Sequence, residues 1–83
     1  MRLPRDLSGD DLAQALKLLG YQVTRQTGNH LRLTTAERGE HHITIPRHHA
    51  LRIGTLAAIL ADVAEHFALS REELVNRLFG SRQ

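Results

Sequence analysis

Tyr21-Gln22-Val23-Thr24-Arg25-Gln26-Thr27-Gly28-Asn29-His30-Leu31-Arg32-Leu33-Thr34 is the stretch that decides the fold. Two short runs alternate apolar and polar residues, and the tight polar turn Thr27-Gly28-Asn29-His30 separates them. Alternation with period two is the mark of a strand with one face buried and one face wet. In the second run Leu31 and Leu33 point one way, while His30, Arg32 and Thr34 point the other. His30 therefore opens a strand on its polar side, and an imidazole there can gain or lose a proton near neutral pH.

The neighbouring segments complete the pattern. Upstream, Ser8 is a good N-cap and Asp11 three residues later makes a near capping box. Leu12, Ala15, Leu16 and Leu19 recur at helical spacing, and Gly20 closes that helix in a left-handed conformation. Downstream, residues 36–40 form a turn and Ile43 and Ile45 alternate with His42 and Thr44 in a third strand ended by Pro46. Residues 47–53 read as a loop. A second helix starts near Gly54-Thr55, with Leu56, Ile59, Leu60, Val63, Ala64 and Phe67 as its apolar stripe. Ser70 and Glu73 form a second capping box, opening a short helix through Leu74, Val75, Leu78 and Phe79 that reads as core more than interface. The expected order is helix, three antiparallel strands, helix, helix. Tyr21, Val23, Leu31, Leu33, Ile43 and Ile45 share the face under the helices. Gln22, Thr24, His30, Arg32, Thr34, His42 and Thr44 share the open one. An antiparallel sheet commonly wets one side, which explains the polarity but not the choice of imidazole and guanidinium.

Composition sets the outer limits. Eighty-three residues make one domain, residues 1–83, without repeats or linkers. A chain of this size buries only roughly 60% of its unfolded surface, so modest stability is expected. It has no cysteine, which fits a reducing cytoplasm and excludes a disulfide framework. The N-terminal residues carry no apolar run of signal-peptide type and nothing approaches a membrane span, so a soluble cytoplasmic protein without membrane contact is expected. Net charge is +2, with 11 basic residues of which only Lys17 is lysine. Residues 21–54 hold Arg25, Arg32, Arg38, Arg47 and Arg52 against Glu37 and Glu40, with five of the six histidines. Arginine suits bidentate grip of phosphate, but so small a net charge implies nucleic acid only with a site beside it.

Taken in order, Leu16-Lys17-Leu18-Leu19-Gly20-Tyr21, Arg25-Gln26-Thr27-Gly28-Asn29-His30, Ile43-Thr44-Ile45-Pro46 and Ile53-Gly54-Thr55-Leu56 with Ile59-Leu60 resemble the HicA (YcfA-like) toxins, small bacterial ribonucleases. The likeness covers about residues 5–79. It implies an α+β, double-stranded-RNA-binding-like α-β-β-β-α fold with a three-stranded antiparallel sheet, here with an additional short C-terminal helix. The family's catalytic histidine follows Gly-Ser or Gly-Asn in this turn and falls on His30. The chain departs from the family in its few lysines, its paired histidines at 41–42 and 48–49, and its fuller C-terminal helix.

The activity implied by the resemblance is that of an mRNA interferase: metal-independent, cofactor-free RNA cleavage by an endoribonuclease, neutralised by a HicB-like antitoxin in a hetero-oligomeric complex. RNA supplies its own nucleophile, the 2′-hydroxyl, so positioning accounts for much of the rate. His30 is the expected acid or base; Arg25, Asn29, Arg32 and Arg47 are the expected RNA contacts; and His42 is a candidate second group. His41 and His42 are adjacent on a strand and so point apart, and no spacing supplies the three or four converging ligands of a zinc site. His66 reads as a surface residue. Two other classes compete with the enzyme: a nonenzymatic RNA-binding module and a protein-interaction module built on the C-terminal helices. Toxicity that survives loss of His30 points to one of those instead.

Overall fold

Both Ser-acid pairs start helices. In the computed structural model, which describes residues 3–80, α1 spans Gly9–Leu16. The Asp11 amide donates to the Ser8 hydroxyl at 2.9 Å, and the Ser8 amide donates back to the Asp11 carboxylate at 3.3 Å. A 3₁₀ turn at Lys17–Leu19 follows, closed by Gly20 at φ 83°. The sheet comes next: β1 (Gln22–Thr27), β2 (His30–Thr35) and β3 (His41–Pro46), antiparallel in the order β1-β2-β3. Helices α2 (Ile53–Phe67) and α3 (Arg71–Phe79) complete the chain. At α3 the amide and hydroxyl of Ser70 bind Glu73 reciprocally and hold its carboxyl below the usual range. The expected α+β order is borne out. Helix α2 begins slightly ahead of Gly54, because extended Arg52 serves as N-cap and its carbonyl accepts the first helical bond from Leu56 at 2.9 Å.

The core lies between one face of the sheet and the helices. Leu12 and Leu16 of α1, Leu33 and Ile45 of the sheet, Leu60 and Val63 of α2 and Leu74 of α3 are fully buried. Each such side chain stabilises the fold by about 1.5–3 kcal/mol relative to exposure. Leu31 and Ile43 join them, and so do Val75 and Leu78, so α3 contributes packing surface. One apolar residue of the helix-side face is not buried: Val23, the partner of Leu33, is 43% exposed. It sits on an edge strand whose six residues are all exposed, at the margin of the cover that α1 provides. Among the described residues no single helix is long and apolar enough to cross a membrane.

The strand pairing contains an irregularity that simple alternation does not anticipate. Val23 pairs with Leu33, but Arg25, not Thr24, pairs with Arg32. Thr24 is the extra residue of a β-bulge. Paired residues share a face, so the bulge brings Arg25 round to the open side and sends Gln26, opposite Leu31, to the helix side.

A polar clasp joins the far end of the sheet to α2. The fully buried Tyr21 donates its hydroxyl to His41 Nδ1 at 2.6 Å, and His41 Nε2 donates to Asp62 Oδ1 at 3.1 Å. The His41 ring stacks on that of His66, with centroids 4.4 Å apart and planes at 10°. His66 Nε2 in turn donates to the Glu37 carbonyl at 2.9 Å. His66 is therefore a half-buried tie between α2 and the β2–β3 turn, and the expectation of a simple surface residue is corrected. Its partners lie far away in sequence.

Burial, and then the nearby Asp62 carboxylate, push the Tyr21 hydroxyl far above its ordinary value of 10.0. The folded state therefore binds this proton more tightly than the unfolded chain. Its stabilising effect is complete below pH ~10 and is lost as pH rises above that. Tyr21 is the single tyrosine and the chain has no tryptophan, so absorbance at 295 nm reads one site. The signal is expected to stay that of neutral phenol until alkaline unfolding. Ionisation near pH 10 with the fold intact, seen by circular dichroism, contradicts this.

Candidate active site

The hairpin that carries His30 is tightly defined. Thr27 pairs with His30 across a two-residue connection, Gly28-Asn29. Gly28 has φ 52°, and Asn29 is not among the positive-φ residues, which is the pattern of a type II′ hairpin. On the other side His30 pairs with Pro46, and the Arg47 amide donates to the Asn29 carbonyl at 2.6 Å. Gly9, the first residue of α1, sits so close beneath this corner that a Cβ there would lie 2.1 Å from the Pro46 carbonyl oxygen. The backbone carrying His30 is thus held from three directions while its side chain stays exposed.

Rows of side chains cross the open face. The first is Thr27, His30, Pro46; the second is Arg25, Arg32, Thr44; the third is Gln22, Thr34, His42. Adjacent rows are about 7 Å apart, at ~3.3 Å per strand residue. Unlike His41, His42 and His66, His30 makes no side-chain hydrogen bond among the described residues, so both ring nitrogens are free to work. In the next row Arg25 and Arg32 are direct cross-strand partners. Like charges in that position destabilise a sheet unless an anion comes between them. Among the described residues neither Arg25 nor Arg32 has an ion-pair partner. The arrangement can bind a phosphate and present it to an imidazole.

The other candidates fall elsewhere. The Arg47 guanidinium grips Asp10 of α1 with Nε at 3.0 Å and Nη2 at 3.1 Å, so it is drawn to the start of α1 and away from the arginine pair. Asn29 lies at the tip of the turn and lines a small cleft with Arg47 and Asp10, next to His30 in sequence. His42 is two rows from His30, about 13 Å along the strands, too far for both imidazoles to act on one phosphate. It is already engaged, with Nδ1 2.8 Å from the Thr34 hydroxyl and Nε2 2.8 Å from Glu40. Among the described residues no three His, Asp or Glu side chains converge as a metal site would need.

This constellation stands on a hairpin whose backbone belongs to a wider sequence pattern. Residues 9–64 match the family described as HicA toxin of bacterial toxin-antitoxin. The chain belongs to the HicA toxin family. The matched segment runs from the first residue of α1 into α2 and contains the whole sheet, with His30 and both members of the arginine pair. Helix α3 lies beyond the match, in keeping with the fuller C-terminus noted in the sequence. No curated protein and no solved structure matches the chain. As a HicA toxin the protein belongs to a class of molecules that operate with an antitoxin.

Proposed function

We propose that this HicA toxin is an endoribonuclease, an mRNA interferase of the cytoplasm. The observation that carries the reading is the unengaged His30 imidazole one same-face step from the cross-strand Arg25–Arg32 pair. A phosphodiester seated between the guanidiniums has its negative charge compensated. The 2′-oxygen attacks the adjacent phosphorus, the bond to the 5′-oxygen breaks, and the products are a 2′,3′-cyclic phosphate and a 5′-hydroxyl. His30 moves one of the two protons, either from the 2′-hydroxyl or to the departing 5′-oxygen. The arginines offset charge that builds on the phosphorane. One positioned acid or base contributes about 10²–10⁴-fold, so a slow enzyme is expected.

The test uses an oligonucleotide cut by the purified toxin and the same strand with one 2′-deoxy residue at the cut. The normal strand is expected to yield the cyclic phosphate, with EDTA making no difference, and the deoxy strand is expected to resist. Cleavage of the deoxy strand at that bond refutes 2′-hydroxyl attack, and loss of activity in EDTA that zinc restores refutes a metal-free mechanism.

The partner in this reading is a HicB-like antitoxin that covers the open face and masks His30 in a hetero-oligomer. Acidic groups on it would meet Arg25 and Arg32. Association is then expected to slow with added salt, and the toxin's melting temperature to rise, by about 2.7 kcal/mol of stabilisation at a hundredfold excess over Kd. A complex that still cleaves RNA at the free rate disposes of masking.

A further inference from the structure

We propose that the cleft between the outer edge of β3 and α2 receives the nucleobase attached to the phosphate held by Arg25 and Arg32, and that Asp62 selects bases bearing an amino group. The inference rests on the ribonuclease reading and adds the site that would give it sequence preference. The cleft has a volume of about 420 Å³. That is within the range of roughly 300–1,000 Å³ typical of small-molecule sites. Arg32, His42 and Thr44 line it from the open face, Ile43 and Ile59 contribute apolar surface, and Ala58 and Asp62 form the far wall on α2.

Three features of this cleft suit a base. First, Arg32 belongs both to the cation pair and to the cleft lining, so a phosphate held there leaves its own nucleoside beside the opening. Second, β3 is an edge strand, and an edge presents unpaired backbone N–H and C=O groups. Those groups match the donor and acceptor pattern of a Watson–Crick edge, the edge that proteins read on unstacked RNA bases. Third, the exposed Asp62 is bonded to His41 through Oδ1 alone, leaving Oδ2 as an acceptor with no donor role. Adenine, cytosine and guanine each offer it an amino group. Uracil offers one N–H between two carbonyl oxygens that a carboxylate repels. The apolar floor takes a base face of any type and both His42 ring nitrogens are already engaged by Thr34 and Glu40, so discrimination falls to Asp62.

The test separates this site from cleavage itself by using the His30→Ala protein. AMP, CMP, GMP and UMP are titrated into it while backbone amide resonances are followed by NMR. Shifts at Ile43, Ala58 and Asp62 are expected with the first three nucleotides, and UMP is expected to bind at least about fivefold more weakly. Asp62→Asn, whose amide can donate as well as accept, should abolish the difference. Ala58→Trp, at an exposed position, should block the cleft for all four, with the spectrum reporting that the fold is kept. Equal affinity for CMP and UMP, an unchanged preference in Asp62→Asn, or shifts that never reach α2 would each overturn the proposal. Because the readout is binding, a wild-type protein that fails to cut RNA defeats the ribonuclease reading without deciding this one.

Discussion

Replacing His30 with alanine is expected to lower RNA cleavage by about 10²–10⁴-fold, the range of a single positioned proton-transfer group. Growth arrest on induced expression should vanish with it. The fold should hardly notice. His30 is exposed and unbonded, and surface substitutions of that kind stay within about 0.5 kcal/mol. For a domain of this length that is a change in melting temperature of no more than roughly 2–4 °C. The two readouts must be taken together. A variant that loses both activity and fold says nothing about catalysis, whereas a fully active, well-folded variant eliminates His30 as the proton-transfer group. Arg32→Ala should give a smaller loss, because Arg25 keeps half of the cation pair in place, with stability unchanged or slightly raised as the like-charge pair is removed.

The second large effect falls on stability, at the Tyr21–His41 pair. His41→Leu keeps most of the volume of the ring but supplies no acceptor, so the buried Tyr21 hydroxyl loses its partner. Leaving such a group unsatisfied costs about 1–3 kcal/mol. In a domain of this length, that is on the order of 5–20 °C in melting temperature. The decisive comparison is the double variant. Adding Tyr21→Phe to His41→Leu removes the orphaned hydroxyl and should recover part of the loss, since replacing both partners by apolar groups is far milder than removing one. Thermal melts of the two single variants and the double variant measure this. If the double variant is less stable than His41→Leu, or if His41→Leu melts with the wild type, the hydrogen bond is not what holds this end together.

What could be read in advance divides along the range of the interactions involved. The two capping boxes, the left-handed Gly20, the two-residue turn and the burial of Leu31 and Leu33 depend on neighbours a few positions away, so the chain displays them openly. His30 was visible for the same reason, as one polar position beside a turn. The bulge at Thr24 is different: it is a mismatch of count between two strands and exists only once they are paired. That mismatch puts Arg25 beside Arg32, a relation that alternation within β1 does not contain. The tie from Arg47 to Asp10 spans 37 positions, and the bond from His41 to Asp62 spans 21. No local pattern marks either. A pair of adjacent histidines at the start of a strand was the one available signal for the clasp. It showed that His41 and His42 face opposite ways, without naming what each would meet.

The division of the sheet into a packing side and a working side has a genetic consequence. Side chains on the working side carry no share of the core, so a change at His30 leaves a properly folded molecule with the remainder of its surface intact. On the proposed function such a molecule is expected to be a decoy, inactive as a nuclease yet still able to occupy an antitoxin that grips the arginines and the rim of the sheet. A cell that carries an intact copy and an inactivated one then has less antitoxin to spare than its gene count suggests. Loss-of-function alleles of this toxin are therefore not all equivalent. Those that empty the core remove the protein altogether, and those that change His30 but spare Arg25 and Arg32 are expected to leave behind a competitor for the antidote.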